Sequence, residues 1–431
     1  PMLSTKKTKE WNSMVSVQTQ IEIQGDLSLA NISRELDAIN IPGEILKSAI
    51  VKLQEELLLN LCGPRYFRNQ NRKFARVGST NRTLRTRHGR IEFKLTKVRC
   101  LDNGSILRPL LVYVGVEPKK RIIDDLTLEC AEIATYLTYR DSKSVIENLT
   151  NAEVSRCRIH GCVQRVGEFM NSERRKSPMK SQDLIEGDGT KCHGLRGKKN
   201  EINVILGRNQ NSGEKSLLGL SVNEDWKSTM HQFKGWAKVA VSDNEPSLRN
   251  SLLEKAFNYQ ACVRHCIGDV RFYLWSAKVP KGQRDNLSGE LEGILEILRD
   301  SVNKHVADGN FERLRWRIKW TLSELERLSS TLLEAGLAVV ARFIRNAANY
   351  MITFARLAMK GIQIPMTNNL IERLMGEVAK RIKHKWMHWS TKGLENLLNI
   401  LLARYCNRRV YGALKGRYLS SKRTIVRIAV T

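Results

Sequence analysis

The sequence predicts a multidomain α/β protein, with an alternating strand–helix core interrupted by an all-α insertion and preceded by a basic β unit and a helix-turn-helix-like helical domain. Three observations predict it. At 431 residues the chain is too long for one compact core. Apolar runs of strand length alternate with amphipathic stretches between residues 183 and 263. From Leu287 to Met359 the pattern is helical throughout.

Charge narrows the function. Lys and Arg number 72 against 44 Asp and Glu, a net +28. An enzyme for small metabolites has no need of such self-repulsion, so a polyanionic partner, nucleic acid first, is indicated. A spanning helix is excluded, because the most apolar stretch, 337–359, is cut by Arg342, Arg345 and Arg356. The first 25 residues carry no signal-peptide core. Nine scattered cysteines with no Cys-x-x-Cys pair suit a reducing compartment, either the cytoplasm and nucleoid of a prokaryote or a eukaryotic nucleus.

Residues 1–62 form an N-terminal helical segment, with Leu46, Ile50, Leu53, Leu57 and Leu58 at helical spacing. Residues 63–118 form the basic β unit. Between Gly63 and Arg90 there is no acid, and Arg65, Arg68, Arg72, Lys73, Arg76, Arg82, Arg85 and Arg87 are expected to meet DNA. Ile91, Phe93 and Leu95 alternate with polar residues as in a half-buried strand. Asp102-Asn103-Gly104 reads as a turn and Leu110–Val114 as a second strand.

Residues 119–170 predict helices over 125–136, 144–149 and 154–169, broken at Thr150-Asn151-Ala152. Helix, short turn, helix is the layout of a DNA reader, and also of an ordinary three-helix packing unit. In the first reading Arg156, Arg158 and Gln164 face phosphates and base edges. Residues 171–182 read as a polar linker.

Residues 183–275 hold the first part of the core, with strands at 183–190, 201–207, 215–222, 236–243 and 259–263 and helices at 225–233 and 246–257. Residues 276–364 are the all-α insertion, in which Trp316 and Trp320 share a helix face and read as core. Pro365 ends that run, and 365–402 begins a further helix near Asn369 that carries Lys380, Arg381 and Lys383 toward DNA. Residues 403–431 are a basic tail with Arg408 and Arg409, whose Tyr405, Tyr411 and Tyr418 suit contact with unpaired bases.

Three acids stand in suggestive places: Asp188 in Glu-Gly-Asp-Gly-Thr, Asp243 at the end of an apolar strand, and Glu372 in the first turn of the late helix. Each has a purely structural alternative. Gly-Asp-Gly suits a turn, Asp243 a helix N-cap, and Glu372 a capping box with Asn369. If they converge, their repulsion calls for divalent cations. Oxygen ligands suit Mg²⁺ or Mn²⁺, and two such ions serve phosphodiester chemistry. Glu377 competes with Glu372, but five residues turn a helix by about 140°, so both cannot face one site. Glu372 is preferred at the helix entrance.

The succession Glu-Gly-Asp188-Gly-Thr, Val-Ser-Asp243-Asn-Glu, Cys262-Val-Arg-His265 and Asn-Asn-Leu-Ile-Glu372-Arg, followed by Lys380-Arg-Ile-Lys and Trp386, resembles DDE-type transposases with an RNase H-like core. The likeness is to the Mutator-like kind and to related prokaryotic insertion-sequence enzymes, and it covers about residues 183–410, with 63–170 resembling their front part. It implies Asp188, Asp243 and Glu372 as ligands of two Mg²⁺ (or Mn²⁺) ions and as the catalytic residues, and Cys262 and His265 as organisers of the core or the DNA end. Read without it, Cys262 is a buried strand residue and His265 a loop histidine. The implied function is metal-dependent DNA strand cleavage and strand transfer, with double-stranded DNA, both terminal inverted repeats and target, bound by a dimer or higher oligomer. A non-catalytic DNA-binding protein derived from a transposase and a structure-specific nuclease with the same core are the alternatives.

Overall fold

The computed structural model describes residues 28–29, 40–64, 72–176, 181–210, 212–384 and 387–420; Arg65, Arg68, Trp386, the tail after 420 and most of the first 39 residues lie outside this set. The described residues fall into two compact units. One runs up to Val166 and resumes at Ala413; the other is Gly167–Gly412.

In the first unit, α1 (Ile41–Cys62) packs on an antiparallel sheet of β1 (Phe74–Thr86), β2 (Gly89–Cys100) and β3 (Ile106–Leu107). Ile91, Phe93 and Leu95 point inward to Leu57 and Leu84, as the alternation of a strand requires. Leu110–Val114 is not a strand but lies in a short helix, α2 (Pro109–Tyr113). Pro109 fits a first helical position, and Leu110 and Leu111 are both buried, which successive strand residues facing one core cannot be.

Three helices follow: α3 (Asp124–Ile133), α4 (Tyr139–Thr150) and α5 (Arg156–Lys176). Thr138 caps α4, and Asn151 ends it in the left-handed region at φ 51°. α5 continues through 171–176, which the sequence reads as linker. Its last turn is basic, matching the helix dipole, and Asn171 Oδ1 accepts from Arg174 at 2.8 Å.

The second unit is built on a five-stranded sheet in the order β6-β5-β4-β7-β8: β4 (Gln182–His193), β5 (Lys199–Arg208), β6 (Lys215–Val222), β7 (Ala237–Ser242) and β8 (Ala256–Ala261). β4, β5 and β6 are antiparallel neighbours, whereas β7 and β8 run parallel to β4. α6 (Trp226–His231) and α7 (Pro246–Leu253) cross between strands. Then come α8 (Val263–Ser276), α9 (Lys281–Ala307), α10 (Phe311–Glu334), α11 (Ala338–Met351) and α12 (Thr353–Ala358). Leu291, Leu295 and Ile344 of these helices share one core with Ile185 and Ala240 of the sheet.

The apolar stretch 337–359 is two helices because Gln260 of β8 sits at the break. Its amide donates to Met351 O at 3.0 Å and accepts from Phe354 N at 2.7 Å. Trp316 is not core: it is 60% exposed, off the buried stripe of Leu314, Ile318 and Leu325, with the Arg317 guanidinium over both Trp316 and Trp320. α13 (Asn369–Ile382) packs on β4, α14 (Thr391–Cys406) packs on β6, and α15 (Arg408–Ser420) ends the described chain. Tyr411 and Tyr418 are 5% and 2% exposed, so they are packing residues and not base-stacking surfaces; only Tyr405 stays open.

Candidate active site

Parallel pairing sets the first two acids side by side. Gly187 of β4 pairs with Ser242, the last residue of β7, so Asp188 is the next residue of β4 and Asp243 the first residue beyond β7. Asp188 is in a strand, opposite Val204, and not in a turn. The glycine before it serves close packing: a Cβ on Gly187 would meet Leu248 of α7 at 2.7 Å. Asp243 does not cap α7. Glu245 does, accepting from Ser247 N and Leu248 N, which leaves Asp243 Oδ1 buried without a partner. Tyr259 and Ser242 both donate to Asp243 O, at 2.8 and 2.7 Å, fixing this corner.

Glu372 arrives on α13. The capping box with Asn369 does not form, since Asn369 is already helical and Asn368, the N-cap, makes no side-chain capping bond. Glu186 of β4 instead accepts from Ile371 N at 2.8 Å. Glu372 then faces His265, Nδ1 to Oε1 3.6 Å, and neither atom has a hydrogen-bond partner. Glu377 points elsewhere, pairing with Lys380 at 2.6 Å.

The acids feel one another. Burial pushes Asp188 up to about 6, with the Asp243 and Glu372 carboxylates adding to the rise. Burial likewise raises Asp243, against the pull of His265. The Cys262 side chain, followed by Glu372 and Asp243, lifts His265 to about 9 against the effect of burial. The acids thus favour the imidazolium form of His265, which offsets part of their charge. Cys262 is not a strand residue, nor His265 a loop residue: Cys262 is the N-cap of α8 and His265 lies in its first turn. Cys262 N donates to Ser242 O at 2.7 Å and Val263 N to Met366 O at 3.1 Å, stitching β7, α8 and the approach to α13 together. Among the described residues, Cys262, His265 and Glu372 form a set of three ligand groups whose atoms all lie within 4.8 Å of one another.

The expected DNA contacts separate into two kinds. Arg87, Arg156, Arg158, Lys383, Arg408 and Arg409 are exposed, and Arg72, Lys73, Arg76, Arg82, Arg85 and Gln164 are half-buried. Arg381 is corrected: it is 4% exposed, stacked over Trp389 at 5.1 Å and bonded to Met387 Sδ, so it does not present its charge outward.

In the first unit a cavity of about 1030 Å³ is lined by seven Lys or Arg against three Glu. Arg85, Arg121, Lys119, Lys143, Arg158 and Arg165 give it its sign. Its floor is built by backbone: Arg85 N donates to Arg121 O and Ile123 N to Arg85 O, at 2.7 and 3.0 Å. Burial and the charges of Arg121 and Arg108 hold Arg82 below the usual arginine range, as expected where cations crowd.

Sequence reasoning missed Glu186, Tyr259 and the Lys119-Lys120-Arg121 run. Glu186 shares a strand face with Asp188 at spacing two, a readable signal. The basic run fell on a predicted domain boundary. Tyr259 carries no such mark.

A family model described as Transposase, Mutator family, matches residues 19–408. No curated protein matches the chain.

Proposed function

The chain belongs to the Mutator family of transposases, and we propose that it binds the terminal inverted repeats of its mobile element, cleaves one DNA strand at the element end and transfers that end to target DNA. Water adds to phosphorus and the 3′ oxygen leaves. The freed 3′-hydroxyl then attacks a target phosphorus and displaces the target's own 3′ oxygen. The core is read as RNase H-like, supported by the strand order of the sheet, its antiparallel β4–β5–β6 part and its parallel β7 and β8.

One observation carries the reading. Asp188 follows the last residue of β4 paired with β7, Asp243 follows the end of that adjacent parallel strand, and Glu372 is brought electrostatically close to Asp188 from α13. The residues fit Mg²⁺ or Mn²⁺: Asp243 Oδ1 and Glu372 Oε1 are buried oxygens with no partner, Asp188 is raised by burial and by the Asp243 and Glu372 carboxylates, and Asp243 is raised by burial. Asp188, Asp243 and Glu372 would hold two ions, which when bound supply charge neutralisation and polarisation of the reacting oxygens. Glu186 and Tyr259 hold the acids in place. The basic cavity and the exposed face of α5 would take the phosphate backbone. Two paired ends call for at least a dimer on DNA.

The test is incubation with duplexes carrying the element ends and Mg²⁺. End-specific nicking followed by strand joining supports the reading. Binding without nicking would favour a non-catalytic DNA-binding protein, and cleavage of branched DNA without regard to end sequence would favour a nuclease.

A further inference from the structure

Cys262, His265 and Glu372 differ in chemistry from an all-oxygen site. A thiol, an imidazole and a carboxylate are the ligand types of zinc, whereas Mg²⁺ takes oxygen. The geometry agrees. Nitrogen and oxygen ligands each about 2.0–2.2 Å from a tetrahedral ion stand roughly 3.4 Å apart, and His265 Nδ1 and Glu372 Oε1 are 3.6 Å apart. These two atoms are shielded from solvent yet have no hydrogen-bond partner. Cys262 is fully buried and makes no side-chain capping bond, and its sulfur lies within 4.8 Å of both. Three protein ligands leave the fourth position of a tetrahedral ion unfilled by the chain.

We propose that Cys262, His265 and Glu372 form a binding site for one Zn²⁺ per chain, with one coordination position open. The site rests on these three groups alone. Its consequence rests on the function proposed above: Zn²⁺ there engages the carboxylate that cleavage needs, so Zn²⁺ inhibits the Mg²⁺-dependent reaction.

The full chain, freed of metal by chelation and without DNA, is titrated with Zn²⁺ by calorimetry and with Co²⁺ by absorption. One ion per chain is expected, with a thiolate-to-cobalt charge-transfer band in the near-ultraviolet. Cys262→Ser should abolish the band. Cys262→Ser and His265→Asn should each weaken Zn²⁺ binding by more than about tenfold, and Asp188→Asn, which removes a nearby charge but no ligand, by less than either. Parent-like circular dichroism is required of each variant; if Cys262→Ser does not fold, His265→Asn and the parent spectrum decide. No thiolate band in the parent, or an affinity that follows Asp188 and not His265, overturns the site. Zn²⁺ binding without inhibition of an active enzyme overturns the consequence only, and absence of cleavage leaves the binding result standing.

Discussion

The carboxylate of Glu186 accepts a hydrogen bond of 2.8 Å from the backbone N–H of Ile371, the residue before Glu372. A strand side chain thus satisfies the first turn of α13, where Asn368 makes no capping bond. Ile371 N also reaches Asn368 O at 3.1 Å, so Glu186→Ala should remove one of its two acceptors and cost about 0.5–1.5 kcal/mol in urea unfolding, with loss of activity. Glu186→Gln keeps an acceptor, so it should retain both. Equal behaviour of the two variants would remove Glu186 from its positioning role.

The same residue predicts a pH effect. Burial raises Glu186 from 4.5 to about 7. The folded chain therefore binds its proton more tightly than the unfolded chain, and in chelator stability should fall as pH rises from about 4.5 to 7. The loss is on the order of 3 kcal/mol. Glu186→Gln should flatten that part of the profile in urea midpoints measured against pH.

Gly187 lies against Leu248, where a Cβ would come to 2.7 Å. Gly187→Ala should destabilise by about 1–3 kcal/mol and disturb the strand pair carrying Asp188 and Asp243. Leu248→Ala in the same chain should recover part of the overpacking cost. Strict additivity in the double-mutant cycle would contradict the contact.

In the basic cavity, Lys119→Ala with Arg121→Ala should weaken binding to duplexes of any sequence and flatten the salt dependence by about one to two phosphate contacts. Arg381→Ala should behave differently. Its guanidinium packs on Trp389, so stability should fall by about 1–3 kcal/mol while the salt slope holds. Filter binding across salt concentrations, beside thermal melts, separates the two.

Regular, locally repeated patterns were legible in the sequence. Ile91, Phe93 and Leu95 marked β2, and the apolar run before Asp243 marked β7, because period and burial agree there. What depends on distant partners was not. Leu110 and Leu111 form a helix under Pro109. Arg381 and Tyr418 carry polar groups yet lie inside. Cys262 leaves its strand because Ser242 and Met366 take the backbone donors at the start of α8. At the candidate site the three acids were legible as types at turning points of the pattern. The spacing of Glu186 to Asp188 was legible, but its partner, a main-chain N–H far along the chain, was not.

The most direct test compares the parent with Asp188→Asn, Asp243→Asn and Glu372→Gln on end-sequence DNA in Mg²⁺, with DNA binding measured beside cleavage. Each variant should bind DNA like the parent and cleave at least about 100-fold more slowly. Parent-like cleavage by any one of them would contradict the assignment of that carboxylate, and parent-like cleavage by all three would contradict the account.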